Sequence, residues 1–167
     1  MPQAPFSVPD RRAQGATDNR YDPATLDALS FRHASLQRDL GSMRTDLAER
    51  SVATVLEQLA SFDLQLRGFV ATHDSVLLQP LSRDWRRDER IVDRIARSRE
   101  QWQGLVATFE TLARDLAAID LQDAPALVAL DFRFAEASHH LGEAFRSDRA
   151  SLFLLFLAPN RAPDRTH

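Results

Sequence analysis

The sequence contains no cysteine, which excludes a disulfide framework and any chemistry that depends on a thiolate. Lysine is absent as well, so arginine supplies all 21 basic side chains. Acidic residues number 24, and the net charge of -3 argues against a nucleic-acid binder that depends on overall positive charge. Glycine and proline are scarce, at five and eight residues, and lie mostly outside the segments with a regular apolar pattern, which favours an all-α fold.

Long apolar runs are also missing. The nearest candidate, Leu152–Leu157, is far shorter than the roughly 18 residues that a membrane-spanning helix needs. Residues 1–21 lack the apolar core of a signal peptide. As written, the sequence predicts a cytoplasmic chain without a membrane span, or an extracytoplasmic domain if it is a fragment of a receptor. We expect one helical domain at residues 22–157 between disordered tails at residues 1–21 and 158–167.

Residues 24–73 have the pattern of one long helix with a coiled-coil-like seam, because their apolar side chains recur at steps of three and four. Asp22 and Pro23 suit the cap and the first turn of this helix. Between Leu47 and Leu59 every step is of four residues, which is the mark of a stutter. The predicted seam comprises Leu26, Leu29, His33, Leu36, Leu40, Met43, Leu47, Ser51, Val55, Leu59, Phe62, Leu66, Phe69 and His73.

A reversal is predicted at Thr72–Ser75, followed by a second long helix from Ser82. This helix carries Trp102, which we interpret as a core residue. A third helix begins after the cap candidate Asp123, has Pro125 in its first turn and extends to the end of the domain. The inward positions predicted for these two helices are Ile91, Ile95, Ser98, Trp102, Leu105, Phe109, Leu112, Leu116, Ile119, Leu127, Leu130, Phe134, Ala137, Leu141 and Phe145.

These segments predict an all-α, up-and-down bundle of three long helices, or of four if the first helix breaks. Three helices of unequal length leave part of the first seam uncovered, which favours either a homodimer or a break that puts four helices in one chain. His33 and His73 occupy seam positions, where a polar side chain more often fixes helix register than binds a ligand. In a homodimer, these histidines could titrate between about pH 5 and 8 and act as a switch.

Motifs for catalysis are poor, since the sequence has no HExxH, GxSxG or glycine-rich phosphate-binding motif. Glu136 and His139 are spaced as in the carboxylate di-metal bundles, but those sites need a second such pair and two further glutamates. We therefore interpret Glu136 and His139 as a surface glutamate and a boundary histidine. We expect no enzymatic activity, no cofactor and no metal.

Residues 67–81 read RGFVATHDSVLLQPL and resemble the RGYLLTGD…YLEPY segment of the CHASE-type helical sensory domains, the third of that series, in bacterial histidine kinases, cyclases and chemoreceptors. The resemblance implies a helical input domain without catalysis of its own. The sequence departs from that family at His73, where a small residue is usual, and in lacking the two membrane spans that flank such domains. The identical residue types are Arg67, Gly68, Thr72, Asp74, Leu78 and Pro80.

Residues 129–138 resemble a helix in the effector domain of GntR-type regulators, which implies an effector-binding role. Asp131 and Phe134 match that helix, whereas Ala135 replaces its metal- or ligand-binding histidine. No winged-helix segment precedes the stretch, so a match by the composition of an alanine-rich helix is the favoured interpretation.

The leading functional hypothesis is a non-enzymatic sensory or signal-transduction bundle that acts through helix packing and dimerisation. The alternative is a soluble coiled-coil scaffold or adaptor. Its protein partner would bind the apolar segment near the end of the last helix, through Leu152, Phe153 and Phe156, because a helix end that is apolar on every side must be covered.

Overall fold

The computed structural model of the chain describes residues 22–120 and 122–158, and within these ranges the secondary structure is helical, without a strand. The helices are α1 (Pro23–Ala48), α2 (Val52–His73), α3 (Gln79–Asp84), α4 (Glu89–Ala117) and α5 (Ala124–Leu157). A π-helical stretch, Asp74–Leu78, joins α2 to α3 and is called the π segment below. The predicted tails lie outside the described residues, apart from Ala158.

Four long helices form the bundle, which confirms the all-α prediction. Helix α1 packs against α2 and α5, and α4 packs against the same two helices. The neighbours are antiparallel: Arg32 near the start of α1 bonds to Thr72 near the end of α2, whereas Asp46 near the end of α1 bonds to Gln58 near the start of α2. No helix in residues 22–120 or 122–158 combines the length and hydropathy that crossing a bilayer would require.

The predicted seams converge in a single core. Every predicted seam residue is buried except His33, Ser51 and Ile119, which are half-buried. Trp102, with 1% of its surface exposed, confirms its interpretation as a core residue. The periodicity therefore identified the inward faces correctly, because apolar residues at steps of three and four lie on one face of any helix that packs on its neighbours.

The prediction of one unbroken helix over residues 24–73 is wrong, and the alternative with a break is right. Helix α1 ends at Ala48, and the chain reverses at residues 49–51. There the N–H of Arg50 donates to the Leu47 carbonyl at 3.0 Å, and the N–H of Ser51 donates to the Asp46 carbonyl at 2.9 Å. Arg50 has a φ of 59°, so this is a Schellman-type end with arginine where glycine is usual. The turn lies within the stutter between Leu47 and Leu59.

The reversal predicted at Thr72–Ser75 is also wrong. The backbone stays right-handed helical from α2 through the π segment into α3, and the chain turns only after Asp84. Asp88 then caps α4 by accepting hydrogen bonds from the next turn, so the second helix begins at Glu89 rather than Ser82. The polar run Thr72–Ser75 misled the prediction, because such residues are typical of turns.

Two predicted caps are confirmed. The Asp22 carboxylate accepts a hydrogen bond from the Ala24 N–H at 2.9 Å, and Pro23 begins α1. Asp123 likewise accepts from the Ala126 N–H at 3.0 Å, with proline in the first turn of α5. Each carboxylate satisfies one of the free N–H groups that a helix start leaves without an intrahelical partner.

We predict that Arg50→Gly stabilises the protein by about 1 kcal/mol, because glycine adopts a positive φ without the steric conflict that arginine meets. Arg38→Gly is the matched control. Arg38 is exposed inside α1, where glycine should lower the free energy of unfolding by about 1 kcal/mol. Urea denaturation of both variants measures the two effects. A destabilising Arg50→Gly would contradict the break and favour one continuous helix.

Candidate functional site

A group of polar side chains lies inside the apolar core. His73, Ser98 and Asp148 are the charged or polar residues that are buried in the described part of the chain, and each is less than 5% exposed. They come from three helices, α2, α4 and α5. Together with Trp102 they form a contiguous set, which we call the polar cluster.

One carboxylate oxygen, Oδ2 of Asp148, is the centre of the polar cluster. The Ser98 hydroxyl donates to it at 2.9 Å and the Trp102 indole N–H at 2.8 Å. His73 Nε2 lies 3.1 Å from the same oxygen, outside the alignment of a hydrogen bond. The imidazole ring also packs on Trp102, with ring centroids 5.4 Å apart. A carboxylate removed from water is tolerated only with donors of this kind.

Serine, histidine and aspartate are also the residue types of a catalytic triad, but their connection here differs. In a triad, the serine hydroxyl donates to the imidazole, and the carboxylate holds the imidazole from its far side. Here the Ser98 hydroxyl donates directly to the Asp148 carboxylate. This geometry supports a hydrogen-bonded core element and lacks the serine-to-imidazole hydrogen bond of a triad.

The π segment begins beside the polar cluster. Its first residue, Asp74, forms an ion pair with Arg99, whose Nε lies 2.6 Å from Oδ1. Oδ2 accepts a hydrogen bond from Gln79 at 2.9 Å. Partial burial by itself would raise the pKa of Asp74, but the hydrogen bonds from Arg99 and Gln79, with the charges of Arg99 and His73, lower it below its usual value.

A pocket of about 160 Å³ opens between α2, the π segment and α4. Its walls combine apolar surface with the Asp74–Arg99 ion pair and the edge of the polar cluster. The lining residues are Val70, His73, Asp74, Leu78, Arg99, Trp102 and Gln103. Because the pocket touches both ends of the π segment, it is the candidate binding site of this bundle.

A wider cleft of about 470 Å³ separates α1 from α5 and includes His33 and Arg146. The His33 ring stacks on Phe145, with centroids 4.0 Å apart, and its Nε2 is buried without a hydrogen-bond partner. Burial lowers the pKa of His33, and a hydrogen bond to the backbone of Leu141 only partly opposes that effect. The neutral imidazole is therefore the form that fits this position.

The residues of the segment that resembles sensory domains lie on one helical stretch. Arg67 pairs with Asp63 and Glu110, which raises the pKa of its guanidinium. The Thr72 hydroxyl accepts a hydrogen bond from Arg32 at 2.7 Å. The other matched residues are Gly68 inside α2, Asp74 and Leu78 at the two ends of the π segment, and Pro80, buried in α3.

The metal-spaced pair does not assemble into a larger site. Glu136 and His139 are both exposed on α5. Within residues 22–120 and 122–158, no group of three or more His, Asp or Glu side chains is placed to hold a metal ion. Asp131, from the segment that resembles GntR-type regulators, is bonded to Arg44 of α1, and Phe134 is a core residue.

The predicted partner surface near the chain end is not a surface. Leu152, Phe153 and Phe156 are 0%, 5% and 0% exposed, since α5 turns these side chains into the bundle core. Their neighbours Leu154 and Leu157 face outward. A partner could reach the buried three only if the bundle opened, so the apolar character of this segment is explained by the protein's own core.

Asp148 is the member of the polar cluster that the sequence analysis missed. His73, Ser98 and Trp102 were already placed on predicted seams. Asp148 lies three residues after Phe145 and four before Leu152, so the same spacing that identified Phe145 would have placed it inward. An acidic residue on an apolar stripe was the available signal.

No family model matches the chain, and no significant match is found among curated proteins or solved structures.

We predict that Asp148→Ala lowers the free energy of unfolding by about 3 kcal/mol, because the Ser98 and Trp102 donors lose their buried acceptor. Asp131→Ala is the matched control on the same helix. Its ion pair with Arg44 is about two-fifths exposed, so its loss should cost at most about 1 kcal/mol. Chemical denaturation measures both variants, and equal losses would contradict a special role for Asp148.

We predict that stability falls as the pH is lowered from about 7.5 to 5.5, in part through His33. The folded state lowers the pKa of His33, so between the folded and unfolded pKa values the unfolded chain binds more protons. The His33 contribution is therefore complete above about pH 6.5 and is lost below it. Thermal melts of His33→Phe should show a flatter pH dependence than the wild type. His140→Phe, at an exposed site on α5, is the control and should keep the wild-type slope.

Proposed function

We propose that the chain is a non-enzymatic sensory or signal-transduction bundle whose output is a shift between packed helices. The observation that carries this proposal is the π segment, placed directly beside the buried polar cluster. π-helical turns inside α-helices are rare and occur frequently at functional sites. Residues 67–81, which resemble helical sensory domains, span this segment.

The π segment gives the bundle two alternative arrangements. Its Gln79 N–H donates to the Asp74 carbonyl, five residues back, where an α-helix would use a carbonyl four residues back. If this turn became α-helical, the residues after it would rotate by about 100° and move by about 1.5 Å along the axis. Helix α3 packs on α4 and α5, so such a movement would repack the end of the bundle.

Pro80 favours the π arrangement. Proline has no N–H, and in a regular α-helix its ring would clash with the carbonyl of Val76, four residues earlier. The wider π turn lies just before Pro80, where it would relieve that conflict. Pro80 therefore sets the balance between the two arrangements, and a ligand or partner that contacts the segment could change that balance.

We predict that Pro80→Ala populates the second arrangement. The chain has two tryptophans, and both report on it: Trp85 ends α3, and Trp102 bonds to Asp148. NMR spectra of the two indole N–H groups should show a second set of signals in the variant. Pro125→Ala is the control, because proline at the first turn of α5 opposes no alternative helix register. A single set of signals in Pro80→Ala would count against the proposal.

We propose homodimerisation as the second part of this function. The four-helix arrangement covers the first seam within one chain, so an uncovered seam no longer argues for a dimer. What supports it instead is a pair of apolar side chains one turn apart on α5: Val128 and Phe132 are 70% and 69% exposed. These two side chains are the surface that we assign to a second copy of the chain.

We predict that light scattering after size exclusion finds a dimer, and that Phe132→Ser yields a monomer because it removes the largest apolar side chain of that pair. Leu64→Ser is the matched control, since Leu64 is 73% exposed on α2 and should not affect association. A wild-type monomer across a wide concentration range would eliminate this part of the proposal and leave the helix-shift mechanism standing.

A further inference from the structure

We infer that the pocket beside the π segment binds a small organic carboxylate with a compact apolar or aromatic body. That this ligand is the signal of the bundle rests on the proposed sensory function. That the pocket binds it rests on the pocket alone. Three properties of the pocket lead to this ligand class: its size, its unused hydrogen-bonding groups and its position.

Size limits the ligand to a compact molecule. The pocket holds about 160 Å³, and an apolar protein cavity of about 150 Å³ accommodates benzene. Val70, Leu78 and the Trp102 ring supply apolar walls. The indole N–H of Trp102 is already committed to Asp148, so this residue offers the ligand its ring rather than a donor. An aromatic or branched aliphatic body suits such walls.

The charged lining group with unused hydrogen-bonding capacity is the Arg99 guanidinium, which can only donate. Both oxygens of Asp74 are occupied, Oδ1 by Arg99 Nε at 2.6 Å and Oδ2 by Gln79 at 2.9 Å. Arg99 spends only its Nε in this way, and its two terminal nitrogens donate to no described residue. Gln103, exposed on the rim, has a side-chain amide without a described partner, which can donate through its nitrogen and accept at its oxygen.

A carboxylate head is the group that fits these donors. The terminal nitrogens of arginine match the two oxygens of a carboxylate in spacing and charge. A cationic head would meet Asp74 with both oxygens already engaged, and would meet the positive charge of Arg99 as well. The pocket therefore discriminates by charge at its rim and by shape along its apolar walls.

Position connects the pocket to the helix shift. Asp74 and Leu78 are the first and last residues of the π segment, and both line the pocket. A ligand held between Arg99 and these residues contacts one side of the segment in the π arrangement. It would bind less well after a rotation of the following turn, so binding would favour the π arrangement.

The test is a titration of the full chain with benzoate, benzamide and benzylamine. Binding is detected by the change in the NMR signal of the Trp102 indole N–H. These probes share one ring and differ in head-group charge. We expect saturable binding of benzoate with a Kd of about 1 mM or below, and binding of the other two weaker by about tenfold or more. No saturable benzoate binding, or equal binding of all three probes, would overturn the inference.

Two variants locate the site. Arg99→Gln should weaken benzoate binding by about tenfold or more, and Val70→Phe should abolish it by filling the pocket without changing any charge. Arg97→Gln is the matched control on α4, because Arg97 is exposed and does not line this pocket. Thermal melts establish that each variant is folded. Wild-type benzoate affinity in both Arg99→Gln and Val70→Phe would contradict the assignment.

The Pro80→Ala variant separates this inference from the proposed function. Two sets of tryptophan signals without benzoate binding would overturn the ligand class and leave the helix shift intact. Saturable benzoate binding that leaves the populations of the two sets unchanged would support the site and overturn its role as the sensor of the bundle.

Discussion

The Asp148 carboxylate has to find its hydrogen-bond donors inside an apolar core, and α4 supplies two of them while α2 places His73 against the same oxygen. Apolar seams with a repeat of three and four can slide by a turn and still bury leucines. A helix that carries a buried carboxylate cannot slide in this way, because a shift of one turn would move the carboxylate away from its hydrogen-bond donors. The register of α4 against α5 therefore depends on this one oxygen. Helix α1 takes its register from polar pairs at its edges, such as Arg44 with Asp131.

The second constraint is the need to cover the seam of residues 24–73. A continuous helix would expose half of that seam or require another chain, whereas a turn at Arg50 folds the two halves onto each other. The positive φ of Arg50 costs about 1 kcal/mol. Burial of each leucine along the facing seams contributes about 1.5 kcal/mol or more, so packing easily outweighs the strain of the turn.

The inward faces of the helices could be read from the sequence, and the ends of the helices only in part. Leu26 to His73 repeat at helical spacing whether or not the chain turns at Arg50. The stutter between Leu47 and Leu59 coincides with the turn, but a continuous coiled-coil helix can also carry a stutter, so periodicity alone does not establish the break. Asp22 and Asp123 could be recognised because a capping side chain acts on its own helix. The position of Pro80 inside a continuous helical stretch could not be recognised, because proline normally interrupts a regular α-helix. The candidate site could be predicted only in part. The burial of His73 and Trp102 followed from their seam positions, but their contact with Asp148 depends on how three helices pack together.

Stability alone does not account for this site. Replacing a buried charged cluster by apolar side chains of similar volume is often neutral or stabilising, so a bundle selected only to fold would have little reason to keep Asp148, Ser98 and His73 in its core. The π segment is a second departure from the most stable arrangement, since hydrogen bonds in such turns replace the regular α-helical pattern. Both departures occur at one level of the bundle, and the Asp74–Arg99 pair joins them at the rim of the pocket. Register fixation explains the polar cluster by itself, and Pro80 explains the π turn by itself. Neither explains why the two adjoin a pocket in which the terminal nitrogens of Arg99 are left for a ligand, whereas the proposed response to a ligand would explain it.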